Sequence, residues 1–139
     1  MRLLLDTNTV SYLVKGLPGV RGRLRSAAES GDEILLCPPV HYEFHRYLLL
    51  RGATRLQEIY ASLAGTWVWC PMLRQDWEEA AALWASSAAR GRPVGDFDGL
   101  IAAVARLREA VVVTHNRRHF EELGVGTVDW VEGESAGGG

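Results

Sequence analysis

Short apolar runs alternate with amphipathic segments along the 139-residue chain. The first run, residues 3–5, is continuously apolar, which is typical of a strand covered on both faces of a parallel sheet. The runs predict strands over residues 3–5, 33–37, 66–70, 110–113 and 127–131. Between them, apolar positions recur at helical spacing, and they predict helices over residues 9–14, 20–30, 40–51, 54–63, 74–89, 99–108 and 117–123.

This alternation of strands and helices predicts an α/β fold, with a mostly parallel central sheet between two layers of helices. No internal repeat or linker divides the chain, so residues 1–132 are predicted to form one domain. The small and polar stretch 133–139 is predicted to be a disordered tail. In the longest predicted helix the spacing of Trp77, Ala80, Ala81 and Trp84 predicts a face packed into the core.

Composition narrows the class of protein. Apolar residues make up 47% and charged residues 23%, which is typical of a folded, water-soluble domain. No apolar run has the length of a membrane span, and the N-terminus lacks the layout of a signal peptide, so we expect a cytoplasmic protein. Cys37 and Cys70 lack the spacing of a metal site and are predicted to be free and buried. A net charge of −2 gives no indication of a nucleic-acid partner.

Candidate chemistry begins where the first apolar run stops at Asp6. A carboxylate there lies at the carboxyl end of a predicted strand, which is the edge where open α/β sheets bind their ligands. The same position suits a residue that caps the following helix, although Thr7 or Asn8 is also a candidate for that cap. Asp6 alone therefore leaves both roles open.

Other polar side chains are predicted to reach the same edge. Glu43 lies one turn into the helix after the second strand, Asp96 and Asp98 flank the start of a later helix, and Asn116 follows the fourth strand. Each has an ordinary alternative as an exposed, capping or turn residue. Together, however, the carboxylates would repel one another unless a divalent cation lay among them, and Mg²⁺ or Mn²⁺ prefers such oxygen ligands.

Two other chemistries are weaker. His41 and His45 lie four residues apart on one predicted helix, as zinc ligands do, but Tyr42 stands where the zinc-protease motif needs glutamate. At ~100° per residue, Glu43 lies on roughly the opposite face from both histidines. The start of the chain also resembles a haloacid-dehalogenase-type phosphatase, but Asn8 stands where that class has its second acid.

Several segments together resemble a known family. The chain resembles PIN-domain ribonucleases, and among them the VapC-type toxins of bacterial toxin–antitoxin pairs. The segments that carry the resemblance span nearly the whole chain in the family's order, and they are residues 4–8, Glu43, residues 91–103, residues 112–120 and Trp130.

The resemblance implies a PIN-like α/β/α fold and a set of site residues. Asp6, Glu43 and Asp98 match the family's core acids, and Asn116 matches a fourth catalytic position. Asp96 stands where many members have a further acid, so the resemblance implies either an additional metal ligand beside the three core acids or a residue that supports those ligands. His119 is a departure, because several relatives carry an acid just before the phenylalanine, so one side of the site is less acidic here.

The activity implied is Mg²⁺- or Mn²⁺-dependent hydrolysis of RNA phosphodiester bonds by water, which leaves 5′-phosphate and 3′-hydroxyl ends. Arg46, Arg117 and Arg118 are the candidate RNA contacts. The resemblance also implies a cognate antitoxin and a homodimer. Apolar residues of two helices are candidates for a partner surface, namely Tyr12, Leu13, Val14, Tyr47, Leu48, Leu49 and Leu50. The alternative function is a catalytically silent PIN-like module that acts only through a protein or RNA partner.

Overall fold

The computed structural model describes residues 1–131 of the chain. Within them, strands β1 to β5 are, in chain order, Arg2–Leu5, Glu33–Leu36, Val68–Trp69, Val111–Val113 and Thr127–Val128. Helices α1 to α7 are Thr7–Val14, Pro18–Glu29, Pro38–Arg51, Thr54–Ala64, Arg74–Ala89, Asp96–Leu107 and Arg117–Glu121. The predicted tail, residues 133–139, lies outside the described residues.

The strands form one sheet in the order β3-β2-β1-β4-β5, and every described pairing is parallel. The central strand β1 pairs on both sides, so that Leu3 stands opposite Ile34 on β2 and Val111 on β4. The predicted α/β fold with a parallel central sheet is therefore confirmed. Parallel pairing also brings the carboxyl ends of neighbouring strands to one edge of the sheet.

The centre of the core is β1. Leu3, Leu4 and Leu5 are all buried, although successive side chains of a strand point to opposite faces. Both faces of the sheet are therefore covered, which explains why the sequence shows a continuous apolar run there. Phe44 of α3 and Phe120 of α7 are among the largest fully buried side chains of this core.

Local sequence sets the limits of α3. Two prolines, Pro38 and Pro39, occupy its first turn, where no hydrogen-bond donor is needed. The helix ends at Gly52, whose φ of 61° is the left-handed conformation that glycine adopts without strain. These limits matter for function because α3 carries Glu43 and Arg46.

Several predicted limits were wrong. Asp6, and neither Thr7 nor Asn8, caps α1, which begins at Thr7. Helix α6 begins three residues early, at Asp96, because its acidic first turn complements the helix dipole. The last strand stops at Val128 and not at residue 131. The chain turns there because the Asp129 carboxylate accepts a hydrogen bond from the backbone N–H of Val131, at 2.8 Å.

The predicted burial of the tryptophan face of α5 was also wrong. The helix itself runs over residues 74–89 as predicted, yet the Trp77 and Trp84 side chains are 57% and 50% exposed. Helical spacing shows that two residues share a face, and it does not show whether anything covers that face.

A buried ion pair holds α5 against the end of α6. Arg108 donates to both carboxylate oxygens of Asp76, at 2.5 and 2.8 Å, and to the carbonyl of Pro71. The Arg108 hydrogen bonds hold the pKa of the Asp76 carboxyl below its usual value. This pair fixes the α5–α6 hairpin that carries Asp98 at its other end.

Of the described helices, none is long and apolar enough to cross a membrane.

Candidate active site

A cavity of about 540 Å³ opens at the edge of the sheet where β1 ends. It receives side chains from β1's carboxyl end, from α1, from α3 and from α6. The lining residues are Asp6, Thr7, Asn8, Ser11, Lys15, Glu43, Phe44, Tyr47 and Asp98. The structure thus brings three predicted acids, separated by up to 92 positions in the sequence, into one cavity.

Asp6 is the most buried of the three acids that line this cavity. Its side chain is 6% exposed, and its Oδ1 atom accepts a hydrogen bond from the backbone N–H of Thr9 at 2.8 Å. Burial raises the pKa of the Asp6 carboxyl, hydrogen bonds from Thr114 and Thr9 oppose that effect, and the charge of Asp98 adds to it. One carboxylate therefore both caps α1 and lines the cavity.

Glu43 is held in place from across the cavity. Its Oε1 atom accepts a hydrogen bond from the Thr7 hydroxyl, so α3 and the start of α1 are joined at the cavity wall. Because the second carboxylate oxygen is not part of this bond, Glu43 keeps an acceptor for a cation or a solvent molecule.

Asp98 lies on the first turn of α6 and is about half exposed. His119 Nε2 lies 3.1 Å from Asp98 Oδ2, an ion-pair distance, although the ring N–H is not aligned for a hydrogen bond. His119 thus stands beside the cavity acid, at the position where the resemblance implied a further carboxylate.

Two predicted members of the site lie elsewhere. Asp96 is exposed and lines a groove on the other side of the first turn of α6. Asn116 is exposed, and its backbone N–H donates to the Thr114 hydroxyl at 2.9 Å. Neither side chain lines the cavity, so their predicted roles as metal ligand and catalytic residue gain no support from their positions.

The predicted arginine contacts differ in their surroundings. The Arg46 guanidinium lies over two aromatic rings, 5.0 Å from the centre of Tyr42 and 4.9 Å from that of Phe97. Those rings neighbour Glu43 and Asp98 in sequence, so Arg46 is held close to the cavity. Arg117 is an exposed residue that pairs with Glu121 at 3.4 Å, and Arg118 is exposed.

The histidine pair lies outside the cavity lining. His41 Nδ1 is 2.7 Å from the Tyr60 hydroxyl, and the His41 and His45 rings are stacked with their centres 5.1 Å apart. Burial lowers the pKa of His41, and the neighbouring His45 lowers it further. The alternative zinc site is therefore unsupported, because the pair is packed against α4 and faces away from Glu43.

The sequence reasoning missed Ser11 and Lys15 as cavity residues. Together with Asn8 they have the spacing i, i+3, i+7, which places all three on one face of α1, the helix that Asp6 caps. That signal was available in the sequence. Lys15, the only lysine of the chain, brings a positive charge to a cavity lined by three acids.

The donor chemistry of the cavity fits a hard divalent cation. Three carboxylates line it without any thiol or imidazole, and Mg²⁺ and Mn²⁺ favour such oxygen donors. Asp6 and Asp98 lie close enough for the charge of one to act on the other. Within residues 1–131, however, no group of three acidic, histidine or cysteine side chains is already arranged as a metal site.

Comparison with known proteins identifies the family of the chain. The PIN domain family profile matches residues 3–126, a range that contains Asp6, Glu43, Asp98 and Asn116. A tRNA(fMet)-specific endonuclease VapC of Salmonella typhimurium is 31% identical over 140 aligned residues, which cover 94% of this chain and 98% of the relative.

Two solved structures share the fold. The crystal structure of VapBC2 from Rickettsia felis bound to a DNA fragment from their promoter superposes with a TM-score of 0.85 at 20% identity, over 94% of this chain and 99% of that chain. The crystal structure of DNA-bound VapBC from Salmonella typhimurium superposes with a TM-score of 0.74 at 28% identity, and the match covers 94% of this chain and 98% of that chain. The chain therefore belongs to the PIN domain family and to its VapC branch.

Proposed function

We propose that this protein is a divalent-metal-dependent endoribonuclease and the toxin of a type II toxin–antitoxin pair. The observation that carries the proposal is the meeting of Asp6, Glu43 and Asp98, from three separate elements, in one cavity at the sheet edge. A fold does not by itself imply an activity, but this carboxylate set matches a metal-dependent hydrolase.

Asp6, Glu43 and Asp98 would hold Mg²⁺ or Mn²⁺ through their carboxylate oxygens. When bound, the cation lowers the pKa of water and neutralises charge that develops on the phosphodiester. Thr7 orients Glu43, and Thr9 and Thr114 orient Asp6, so the donors are restrained before substrate arrives. We place Asn116 and Asp96 outside this set of donors because neither lines the cavity.

Positive charge beside the cavity would position the RNA backbone. Lys15 lines the cavity, and the Arg46 guanidinium lies over the Tyr42 and Phe97 rings. A stacked guanidinium loses little freedom when it binds a phosphate, and its planar fork suits two phosphate oxygens. Arg117 and Arg118, at the start of α7, are the proposed outer contacts of the same strand.

The substrate class we infer is tRNA, because a relative 31% identical over nearly the full length is a tRNA(fMet)-specific endonuclease. Hydrolysis by water needs no 2′-hydroxyl nucleophile, so the products would carry 5′-phosphate and 3′-hydroxyl ends. The place of action would be the cytoplasm, where such an RNA is found.

The proposed partners are a cognate antitoxin and a second copy of the chain. A VapBC complex at 28% identity supports the antitoxin. Of the apolar residues predicted for a partner surface, Leu13, Val14 and Leu48 are buried in the core, whereas Leu49 and Leu50 are 56% and 85% exposed. We infer that the exposed pair contributes to a contact, and light scattering at micromolar concentration that shows a strict monomer would remove the dimer.

The decisive experiment incubates purified protein with tRNA(fMet) and with Mg²⁺ or Mn²⁺. We expect cleavage, and we expect EDTA to stop it. Manganese should support cleavage at a lower concentration than magnesium does, and the products should carry 5′-phosphate and 3′-hydroxyl ends. The Asp98→Asn protein should cleave near background. A folded wild-type protein that cleaves no RNA but binds its antitoxin would favour the silent PIN-like module.

A further inference from the structure

An open groove separates α5 from the start of α6. Its volume is about 490 Å³, and Trp77, Ala80, Ala81 and Trp84 form the wall on α5. The facing wall belongs to the loop before α6 and its first turns, with Gly95, Asp96 and Gly99. We call this surface the indole groove. Both indoles are half exposed, so the groove is not part of the core.

The arrangement of the two indoles suits flat aromatic ligands. Trp77 and Trp84 lie seven residues apart, so they share one helix face and stand roughly 10 Å apart along the axis. The alanines between them are small and leave space at the floor of the groove. Exposed indoles beside open space are the platforms on which unpaired nucleobases stack.

The indole groove and the carboxylate cavity are neighbours that share no lining residue. The first turn of α6 forms the boundary between them, because Asp96 and Gly99 line the groove while Asp98 lines the cavity. A strand whose phosphodiester lies at Asp98 therefore has the groove within reach of its neighbouring nucleotides.

Basic residues lie at one end of the groove. A second cavity, of about 540 Å³, shares Val94 with the indole groove, and its charged and imidazole lining is Arg90, Arg92, His119 and one carboxylate, Glu122. His119 in turn contacts Asp98. A phosphate in this second cavity would lie between a base in the groove and the carboxylates, and guanidinium groups are suited to that ligand.

Asp96 favours a base over a second copy of the chain as the occupant. Within the described residues its carboxylate has no hydrogen-bond or ion-pair partner, and the cores of protein interfaces are depleted of charge. Burial under a second copy would desolvate Asp96 at a cost that only a basic partner from that copy would offset. A nucleobase instead offers amino or imino donors to the carboxylate while its ring covers the indoles.

We propose that the indole groove binds unpaired nucleobases of the RNA strand, with Arg90 and Arg92 contacting the phosphate between the groove and the cavity. This inference rests on the proposed ribonuclease function, since it adds a subsite to the same substrate. Trp77 and Trp84 touch the substrate away from the reacting atoms and set affinity more than chemical rate.

The test measures binding of a fluorescein-labelled single-stranded RNA oligonucleotide to the Asp98→Asn protein without divalent metal. In that background, Trp77→Leu with Trp84→Leu keeps apolar cover but removes the stacking platforms, and the matched tyrosine pair restores an aromatic ring. Trp69→Leu is the control, because Trp69 is equally exposed, at 50%, but lies on β3 against His41.

We expect the leucine pair to weaken binding by about tenfold or more, the tyrosine pair to restore most of it, and the control to change little. RNA should quench tryptophan emission in the parent and control proteins but not in the leucine pair. If wild-type protein cleaves RNA while the leucine pair binds as the parent does, the subsite is wrong and the ribonuclease stands.

Two further outcomes overturn the subsite in different ways. If light scattering shows that the leucine or tyrosine pair loses a dimer while RNA affinity is kept, the groove is a contact between copies. If wild-type protein neither cleaves nor binds RNA, the proposed function fails together with the subsite.

Discussion

The Thr7 hydroxyl donates a hydrogen bond to Glu43 Oε1 and so joins the first residue of α1 to the second turn of α3. Glu43 is 36 positions from Thr7 in the chain, and both line the cavity that holds Asp6 and Asp98. A glutamate side chain on a helix has several rotamers, and this bond selects one of them for the proposed cation ligand Glu43. Thr7 is therefore a positioning residue for Glu43.

Replacing Thr7 with valine should loosen Glu43 without changing the volume of the side chain. We expect a loss of about 1 kcal/mol in the free energy of unfolding and roughly tenfold weaker binding of Mn²⁺. Urea unfolding and metal titration by thermal shift measure the two effects. Thr66→Val is the control, because that hydroxyl bonds only the Leu63 carbonyl near the surface. An unchanged manganese affinity in Thr7→Val would contradict the positioning role.

Replacing Asp6 with asparagine should nearly abolish cleavage and yet stabilise the metal-free fold. The folded-state pKa of Asp6 is raised above 3.8, so the folded protein holds this proton to higher pH than the unfolded chain does. The free energy of unfolding of the wild type therefore decreases as the pH rises from 3.8 through the raised pKa. The mutant does not show this decrease, because asparagine does not ionise. At pH 7 in EDTA the mutant should melt at a higher temperature.

Thermal melts of both proteins between pH 4 and pH 8 check this sign, with Asp98→Asn as the comparison because Asp98 is far more exposed than Asp6. Added Mn²⁺ should raise the melting temperature of the wild type but not of Asp6→Asn. Wild-type-like cleavage by purified Asp6→Asn protein would refute the assignment of the site.

Local patterns in the sequence sufficed for much of the fold and for the three cavity acids. The buried run 3–5 followed by Asp6 is a local signal, and parallel pairing then places each strand end at the same edge. The fourth acid, Asp96, could not be excluded while the helix was predicted to begin at residue 99. Because α6 begins at Asp96, Asp96 and Asp98 are two residues apart on a helix, and their side chains diverge by ~200°.

Long-range contacts were beyond such patterns. Nothing in the sequence pairs Thr7 with Glu43 or stacks Arg46 on Phe97, since these contacts depend on how α3 lies against α1 and α6. The exposure of Trp77 was missed for a related reason. Helical spacing is the same for a face against the core and for a face open to a ligand.

The stacked guanidinium of Arg46 leads to a prediction about RNA affinity. Arg46→Ala should raise the KM for RNA roughly tenfold with little change in kcat, and it should lower the slope of log affinity against log salt by about 1. Removing the rings, in Tyr42→Leu with Phe97→Leu, should act in the same direction more weakly. Arg51→Ala is the control, because Arg51 also stacks on a tyrosine, Tyr47, but lies at the far end of α3.

The buried pair of Asp76 and Arg108 should matter for stability but not for chemistry. Asp76→Asn leaves Arg108 without its charged partner and should cost about 3 kcal/mol of unfolding free energy, with the metal response of the folded protein kept. The pKa of Asp76 is lowered below 3.8, so the stability from this pair is present above that pH and is lost as pH falls through the lowered pKa. Urea unfolding of both proteins at pH 7 and at pH 3 measures the change.

Metal choice separates the carboxylate cavity from the histidine pair. His41 bonds the Tyr60 hydroxyl and stacks on His45, and neither histidine lines the cavity. Replacing both with alanine should therefore leave magnesium- and manganese-dependent cleavage within about twofold of wild type, while the lost contact with Tyr60 costs roughly 1 kcal/mol of stability. Cleavage assays and isothermal titration with Mn²⁺ and Zn²⁺ measure both responses in the double alanine protein and in Asp98→Asn. If the double replacement removed metal binding while Asp98→Asn retained it, the carboxylate site would be wrong and the histidines would be the metal centre.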